Sequence, residues 1–328
     1  MKYTKIMATL TIGISLVLSG CANNSNGNTA TKSSKSSDVT KDLPNTNTSD
    51  LASLNYQNNT SAIMTVNNDA SNLKASDWKY NHVGYTNLDS LNRTSEGNTA
   101  YLEKRNIAND SLRTRQVVQP TGWHQKFVNN DAIINRGHEI AYSLSKGISI
   151  NGKYEPSVQS GDQNNLKNLF TQTAFSNQKL QTIYESQVRE ALRKDKKVIF
   201  QVTPIFRGNE LMARGVHMQA ISTDGSLNFN VYIFNVQPGV EFNYSTGRSK
   251  INNEIKVPTP ENSPSFNNRR NSYKKHHYVR DAVVAGVVHH EIKKHYERKY
   301  RKEYKKEYKK ESEHHQYHSR SHYYRHKY

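Results

Sequence analysis

A chain of 328 residues with 34% hydrophobic content and a mean hydropathy of −0.89 cannot be packed core throughout, which points to one ordinary domain with polar appendages. The formal net charge of +18, from 46 Lys and Arg against 28 Asp and Glu, implies an anionic partner: nucleic acid, an anionic envelope polymer or a membrane surface. The single cysteine, Cys21, excludes an intrachain disulfide and a Cys-built zinc site.

At the N-terminus Lys2 and Lys5 precede an apolar run, residues 6–18, that is too short to span a bilayer. Leu18-Ser19-Gly20-Cys21 closes it with small residues, so residues 1–20 read as a secretory signal. The same four residues resemble a bacterial lipobox, in which Cys21 becomes the lipidated first residue of the mature chain. Residues 21–50 are mostly Asn, Ser, Thr, Lys and Gly, too polar to offset the entropy of ordering, and read as a disordered tether. Residues 282–288 are apolar but far too few to cross a membrane.

Folded sequence is expected over residues 51–250, where Leu54, Ile63, Met64 and Val66 supply the first large apolar positions. Within residues 177–194, Leu180, Ile183, Tyr184, Val188 and Leu192 recur at helical spacing, with Ser176 as the expected N-cap. Residues 196–206 and 227–236 are rich in β-branched and aromatic residues, and the segment joining them contains the turn signal Thr223-Asp224-Gly225. Both are expected to be strands of one antiparallel sheet.

Residues 251–328 form a basic tail. From residue 267 onward it holds 18 Lys and Arg against 7 Asp and Glu, with 10 of the 14 His. Tyr296, Tyr300, Tyr304 and Tyr308, four apart among lysines, suggest a solvated basic helix with a tyrosine stripe. Such a face suits phosphate neutralisation with base stacking, adhesion to an anionic cell-wall polymer, or plain solvation. His314, His315, His318, His322 and His326 could take up zinc or nickel, though their spacing implies no fixed geometry.

Between Ile134 and Ile140 the chain reads Asn135-Arg136-Gly137-His138-Glu139 at what looks like a strand end. A lone histidine there suits a structural role as well as a chemical one, and its surroundings have to decide. Metal-assisted phosphodiester cleavage needs a base that takes a proton near neutral pH, which an imidazole does. It also needs oxygen ligands for a hard cation, and Asn168, Gln172, Asn177 and Glu185 follow in sequence. On a regular α-helix Asn177 and Glu185 would stand about 80° apart and roughly 12 Å along the axis. One would then be a direct ligand and the other would act through metal-bound water, with Asn168 on the loop entering the helix.

The "NRGH" tetrapeptide, "QTAFSNQ" with Asn168 and Asn177 nine apart, and the following "YES-VR-AL" resemble the DNA/RNA non-specific endonucleases of the ββα-metal, or His-Me finger, class. The similarity is to the branch of bacterial DNA-entry nucleases and streptodornases, and extends upstream to Val66-Asn67-Asn68, "NLDSLNRT" and "PTGW", covering residues 51–246. It implies an α+β fold in which a β-hairpin bearing the histidine packs on the helix bearing the metal ligand. It also implies His138 as general base, Asn177 as magnesium ligand with manganese as a substitute, and Asn168 and Glu185 as residues that order the metal site. Arg136, Gln172 and Arg189 match positions beside the bound nucleic acid. Gly137 is expected to permit the bend that turns His138 toward the ion. Asn135 departs from the family's usual Asp and removes a negative charge beside Arg136.

The function expected from these residues is a magnesium-dependent endonuclease acting on DNA, with RNA as a second candidate substrate that the sequence does not decide. It would be held by Cys21 on the outer face of a bacterial membrane, or secreted. A surface adhesin that captures DNA or cell wall with an inactive nuclease fold is the alternative.

Overall fold

The computed structural model describes residues 42–44, 47–108 and 116–264. The signal sequence, the lipobox with Cys21, and the Tyr- and His-rich tail lie outside the described residues.

In chain order the elements are β1 (Asp42–Leu43), α1 (Thr48–Ser53), β2 (Ile63–Val66), β3 (His82–Gly84), β4 (Asn98–Leu102), β5 (Phe127–Val128), β6 (Asp131–Ala132), β7 (Ile134–His138) and β8 (Leu169–Thr173). They continue with α2 (Thr182–Arg193), β9 (Val198–Ile205), β10 (Gly215–Ser222), β11 (Asn228–Phe234), β12 (Val240–Asn243) and β13 (Arg248–Ile251). A central sheet runs in the order β1-β2-β11-β10-β9-β4-β3. It is antiparallel except at β1–β2, and β7 and β8 form a separate antiparallel hairpin.

The two expected strands are β9 and β11, but they are not neighbours. β10 lies between them, pairing Met218 with Val202 on one side and Val231 on the other, and Thr223-Asp224-Gly225 turns β10 into β11. "GVHMQAIS" alternates from Val216 to Ala220, with Val216, Met218 and Ala220 in the core and the polar Gln219 on the other face also buried.

The ordered region reaches further than residues 51–250. Leu43 is buried in β1, and Asn47 makes a capping box with Asp50 at the start of α1, so these two polar residues have structural roles. At the other end Ile255 and Val257 pack on the core.

α2 lies on the sheet through Ile183, Val188, Ala191 and Leu192, which join Val198, Phe200 and Phe229 in one cluster, with Tyr184 tilted against Phe229 at 5.1 Å. Full burial of each phenylalanine contributes about 1.5–3 kcal/mol. This packing fixes the helix, and through it the residues one turn before α2.

The helix starts earlier than expected, and not at Ser176. Helical conformation begins at Ala174, directly after β8, and the Thr173 hydroxyl accepts the Ser176 N–H at 3.0 Å, so Thr173 is the cap. Residues Ser176–Gln181 then form a π-turn before α2. Its i→i+5 bonding inserts a residue into the turn, so Asn177 and Glu185 do not keep the 80° separation of a regular helix. With no loop between β8 and the helix, Asn168 lies before β8, at the end of the 3-10 turn Leu166–Asn168 that leads into the strand pairing with β7.

Candidate active site

β7, β8 and the helix that follows them make a ββα unit. Pairing of His138 with Leu169 and of Ile134 with Thr173 sets the hairpin register, and His138 ends its strand.

His138 is nearly buried, and its Nε2 lies 3.1 Å from the backbone oxygen of Gln163. A carbonyl only accepts, so this contact is a hydrogen bond in the tautomer with the proton on Nε2 and the lone pair on Nδ1, whereas the Gln116 amide nitrogen, a donor, matches the opposite tautomer. The Gln116 amide nitrogen lies against the same ring, 3.0 Å from Nε2 and 3.4 Å from Nδ1.

Asn168 holds the turn that follows. Its Oδ1 accepts the Ile140 N–H at 2.8 Å, its Nδ2 donates to the Ile140 oxygen at 3.0 Å, and its own carbonyl accepts the Glu139 N–H at 3.0 Å. Both ends of the amide are engaged and the residue is fully buried, so Asn168 positions the histidine strand and is not turned to a metal.

Gln172, expected beside the nucleic acid, is fully buried. Its Oε1 accepts from Asn177 Nδ2 at 2.9 Å, and its Nε2 donates to Gln181 Oε1 at 2.8 Å and to the Ser176 hydroxyl at 3.2 Å. It orients Asn177: with Nδ2 held, the Asn177 oxygen is the amide atom left to serve a cation.

Gly137 has a role other than the expected bend. Its backbone is not left-handed, but a Cβ there would meet Gln172 Oε1 at 2.3 Å and Gln172 Cβ at 2.7 Å. The glycine is required so that the Gln172 side chain can cross β7.

Arg136 donates Nε to the Val118 carbonyl, and its guanidinium lies 4.4 Å over the Trp123 ring. Both contacts hold the charge in place. Glu185 accepts from Gln181 Nε2 at 2.9 Å and stands 3.7 Å from Arg189 Nη1. Burial raises its pKa above the ordinary carboxylate value, an effect Arg189 and Gln181 only partly oppose. Arg189 also donates to the Ser143 hydroxyl at 2.9 Å, so its guanidinium is tied to the protein, and little of its side chain is exposed.

Residues 157–224 match the family described as DNA/RNA non-specific endonuclease. The crystal structure of NucA from Streptococcus agalactiae with magnesium ion bound is 32% identical over 61% of this chain and 92% of NucA, with a TM-score of 0.50. The chain belongs to the DNA/RNA non-specific endonuclease family. The structure of the same NucA with no metal bound aligns at 34% identity over 60% of this chain and 90% of that one, with a TM-score of 0.49. A curated deoxyribonuclease from Streptococcus dysgalactiae subsp. equisimilis is 40% identical over 53 residues, and that match spans 16% of either chain.

As a non-specific endonuclease the chain is a hydrolytic enzyme. Three residues that bond to His138 were not anticipated: Gln116, Gln163 and Gln181. Gln181 precedes Glu185 by one helical turn, a spacing that could have drawn attention to it. Gln116 and Gln163 reach His138 from loops 22 and 25 residues away, with no local signal.

Proposed function

We propose that this endonuclease hydrolyses phosphodiester bonds of DNA, and of RNA, with a divalent metal and with His138 as general base. The observation that carries the reading is the ββα unit itself, in which His138 and Asn177 sit on adjacent elements joined through Gln172 and Gln181.

The donors suit a hard cation, since Asn177 and Glu185 offer only oxygen. No group of three or more His, Cys, Asp or Glu that could hold a metal occurs among the described residues. Magnesium needs none, because it keeps several waters and takes one or two protein ligands. Asn177 would be the direct ligand and Glu185 would hold a metal-bound water. When bound, the ion would neutralise charge on the scissile phosphate and the leaving oxygen. Magnesium in NucA supports that choice of metal.

In the proposed reaction His138 Nδ1 takes a proton from the attacking water while the Gln163 carbonyl keeps the Nε2 proton in place. The new bond forms to phosphorus, the bond to the 3′ oxygen breaks, and the products carry a 5′ phosphate and a 3′ hydroxyl. Arg136 and Arg189 supply positive charge beside the substrate, and the basic tail adds a second, non-specific attraction for nucleic acid. The charged n-region, short apolar run and lipobox-like residues ending at Cys21 support export and a lipid tether on the outer face of the membrane.

Plasmid digestion with magnesium and with EDTA tests the activity. Cleavage only with the metal is expected, whereas a DNA-binding adhesin would retard the plasmid in both and cut in neither. His138→Ala should abolish cleavage with DNA affinity nearly intact, and added imidazole should restore part of the rate. A folded mutant that cuts at the wild-type rate would overturn the assignment.

A further inference from the structure

Away from His138, the sheet edge at β3 carries three stacked rings. His82 and Tyr101 are opposed across β3 and β4, with centroids 4.4 Å apart and planes within 6°. Tyr80, two residues before His82, stacks on the other face of the imidazole at 4.2 Å and 20°. The His82 Nδ1 contact to the Tyr80 carbonyl, 3.0 Å, holds the arrangement.

A cross-strand aromatic pair is an ordinary way to stabilise a hairpin. That accounts for His82 and Tyr101, but not for Tyr80, which extends the stack beyond the strand and is 64% exposed. The exposed Lys79 adjoins it in sequence, and the exposed Lys153 is bridged to His82. A flat aromatic face next to cations is what unpaired nucleotides bind: the ring stacks a base and the ammonium groups meet phosphate.

The fold also links this edge to the active site. The Val83 N–H donates to the Gly152 carbonyl at 2.8 Å, and Gly152 is left-handed, with Val83 O only 1.8 Å from where a Cβ would stand. One continuous loop therefore touches β3 at Gly152 and Lys153 and touches His138 at Gln163. The span from Lys153 to Gln163 cannot exceed roughly 35 Å even fully extended. A strand a few nucleotides longer than the scissile step could contact both places.

We propose that the Tyr80–His82–Tyr101 stack is a base-stacking subsite for unpaired stretches of the nucleic-acid substrate, with Lys79 and Lys153 as its phosphate contacts. The inference rests on the nuclease reading and adds to it a preference for substrates with single-stranded character.

The test uses the full chain in EDTA, which suppresses cleavage, and at raised salt, which screens the tail. Fluorescence anisotropy measures affinity for a short labelled single-stranded oligonucleotide and for a blunt duplex of equal length. Tyr80→Ala should weaken single-strand binding by about fivefold or more, from the lower end of the stacking energy per base. Tyr80→Trp should retain it, and duplex affinity, with no unpaired base to stack, should move little. An unchanged thermal melting curve shows that Tyr80→Ala is folded.

Equal single-strand affinity for wild type and Tyr80→Ala would overturn the subsite, as would equal losses on both nucleic acids or a loss that Trp does not recover. If wild type fails to cut any substrate with metal present, the nuclease reading falls. The binding comparison still decides the subsite by itself.

Discussion

Gln181 donates to the backbone carbonyl of His138 at 2.8 Å and, from the same nitrogen, to Glu185 Oε1 at 2.9 Å. Its own carbonyl oxygen accepts from Gln172. One buried amide thus ties the strand of the proposed base to the helix of the proposed ligands. Gln181→Met, similar in size, should take one partner from each of those three groups, at a stability cost of about 1–3 kcal/mol for each that is left with no other partner and finds no water. The mutant should show a lower kcat with a nearly unchanged KM for DNA. Denaturant unfolding and steady-state kinetics on the same preparation check this; wild-type values in both would show that the network does not align the site.

The two oxygen donors should differ in rank. Asn177→Ala is expected to lose activity through weak metal binding and to recover part of it at high magnesium, because water fills the vacated position but does not tie the ion to the protein. Glu185→Ala should be milder, since its contact would pass through water. Metal titration of the three proteins is the measurement, and an inverted order would exchange their roles.

Glu139, next to His138 but outside its chemistry, gives a pH prediction. Its carboxylate oxygens are buried with no partner at hydrogen-bond geometry, and burial pushes its pKa well above the usual carboxylate value, which the nearby Thr94 hydroxyl and Asn98 N–H offset only in part. A folded pKa above the unfolded one means that the folded state holds the proton more tightly. The stability associated with this group is therefore complete below the unfolded value and is lost as pH rises toward the folded one, by about 1.4 kcal/mol per pH unit. Glu139→Gln should melt above wild type at neutral pH, and the gap should close below about pH 4, near the unfolded glutamate value. A gap that does not depend on pH would mean the carboxyl is not responsible.

Removing residues 265–328 should weaken DNA binding and flatten its salt dependence, since each lost phosphate contact removes close to one counterion from the slope. Turnover of short oligonucleotides at saturation should persist, because His138, Asn177 and Glu185 lie in the described domain. Binding to isolated cell walls should be measured with both proteins. An unchanged DNA salt slope together with lost wall binding would reassign the tail to attachment.

How far the sequence revealed this site depended on how locally each feature is encoded. The periodicity of Leu180, Ile183, Val188 and Leu192 marked the helix because one face meets the sheet, and β9 and β11 were visible as apolar runs. β10 carried a strand signal of its own in the alternation from Val216 to Ala220, short and without the β-branched and aromatic runs that marked β9 and β11. The resemblance pointed to His138 and Asn177, but not to how they are held. The amides of Gln172, Gln181 and Asn168 bond partners 4 to 43 residues away, and an amide side chain looks the same in sequence whether it is buried or solvated. The function of Gly137 was likewise set by a side chain on the neighbouring strand.

The π-turn at Ser176–Gln181 gives one helix two rotational phases. From Thr182 onward the phase is set by the sheet beneath, whereas before it the phase suits the hairpin, and the extra residue absorbs the mismatch. Loss of one residue between Asn177 and Thr182 would restore uniform winding and swing Asn177 by about 100° relative to α2. The sheet-facing stripe would keep its order, so such a deletion would separate the ability to fold from the ability to assemble a site. Along this helix, length carries information that residue type does not.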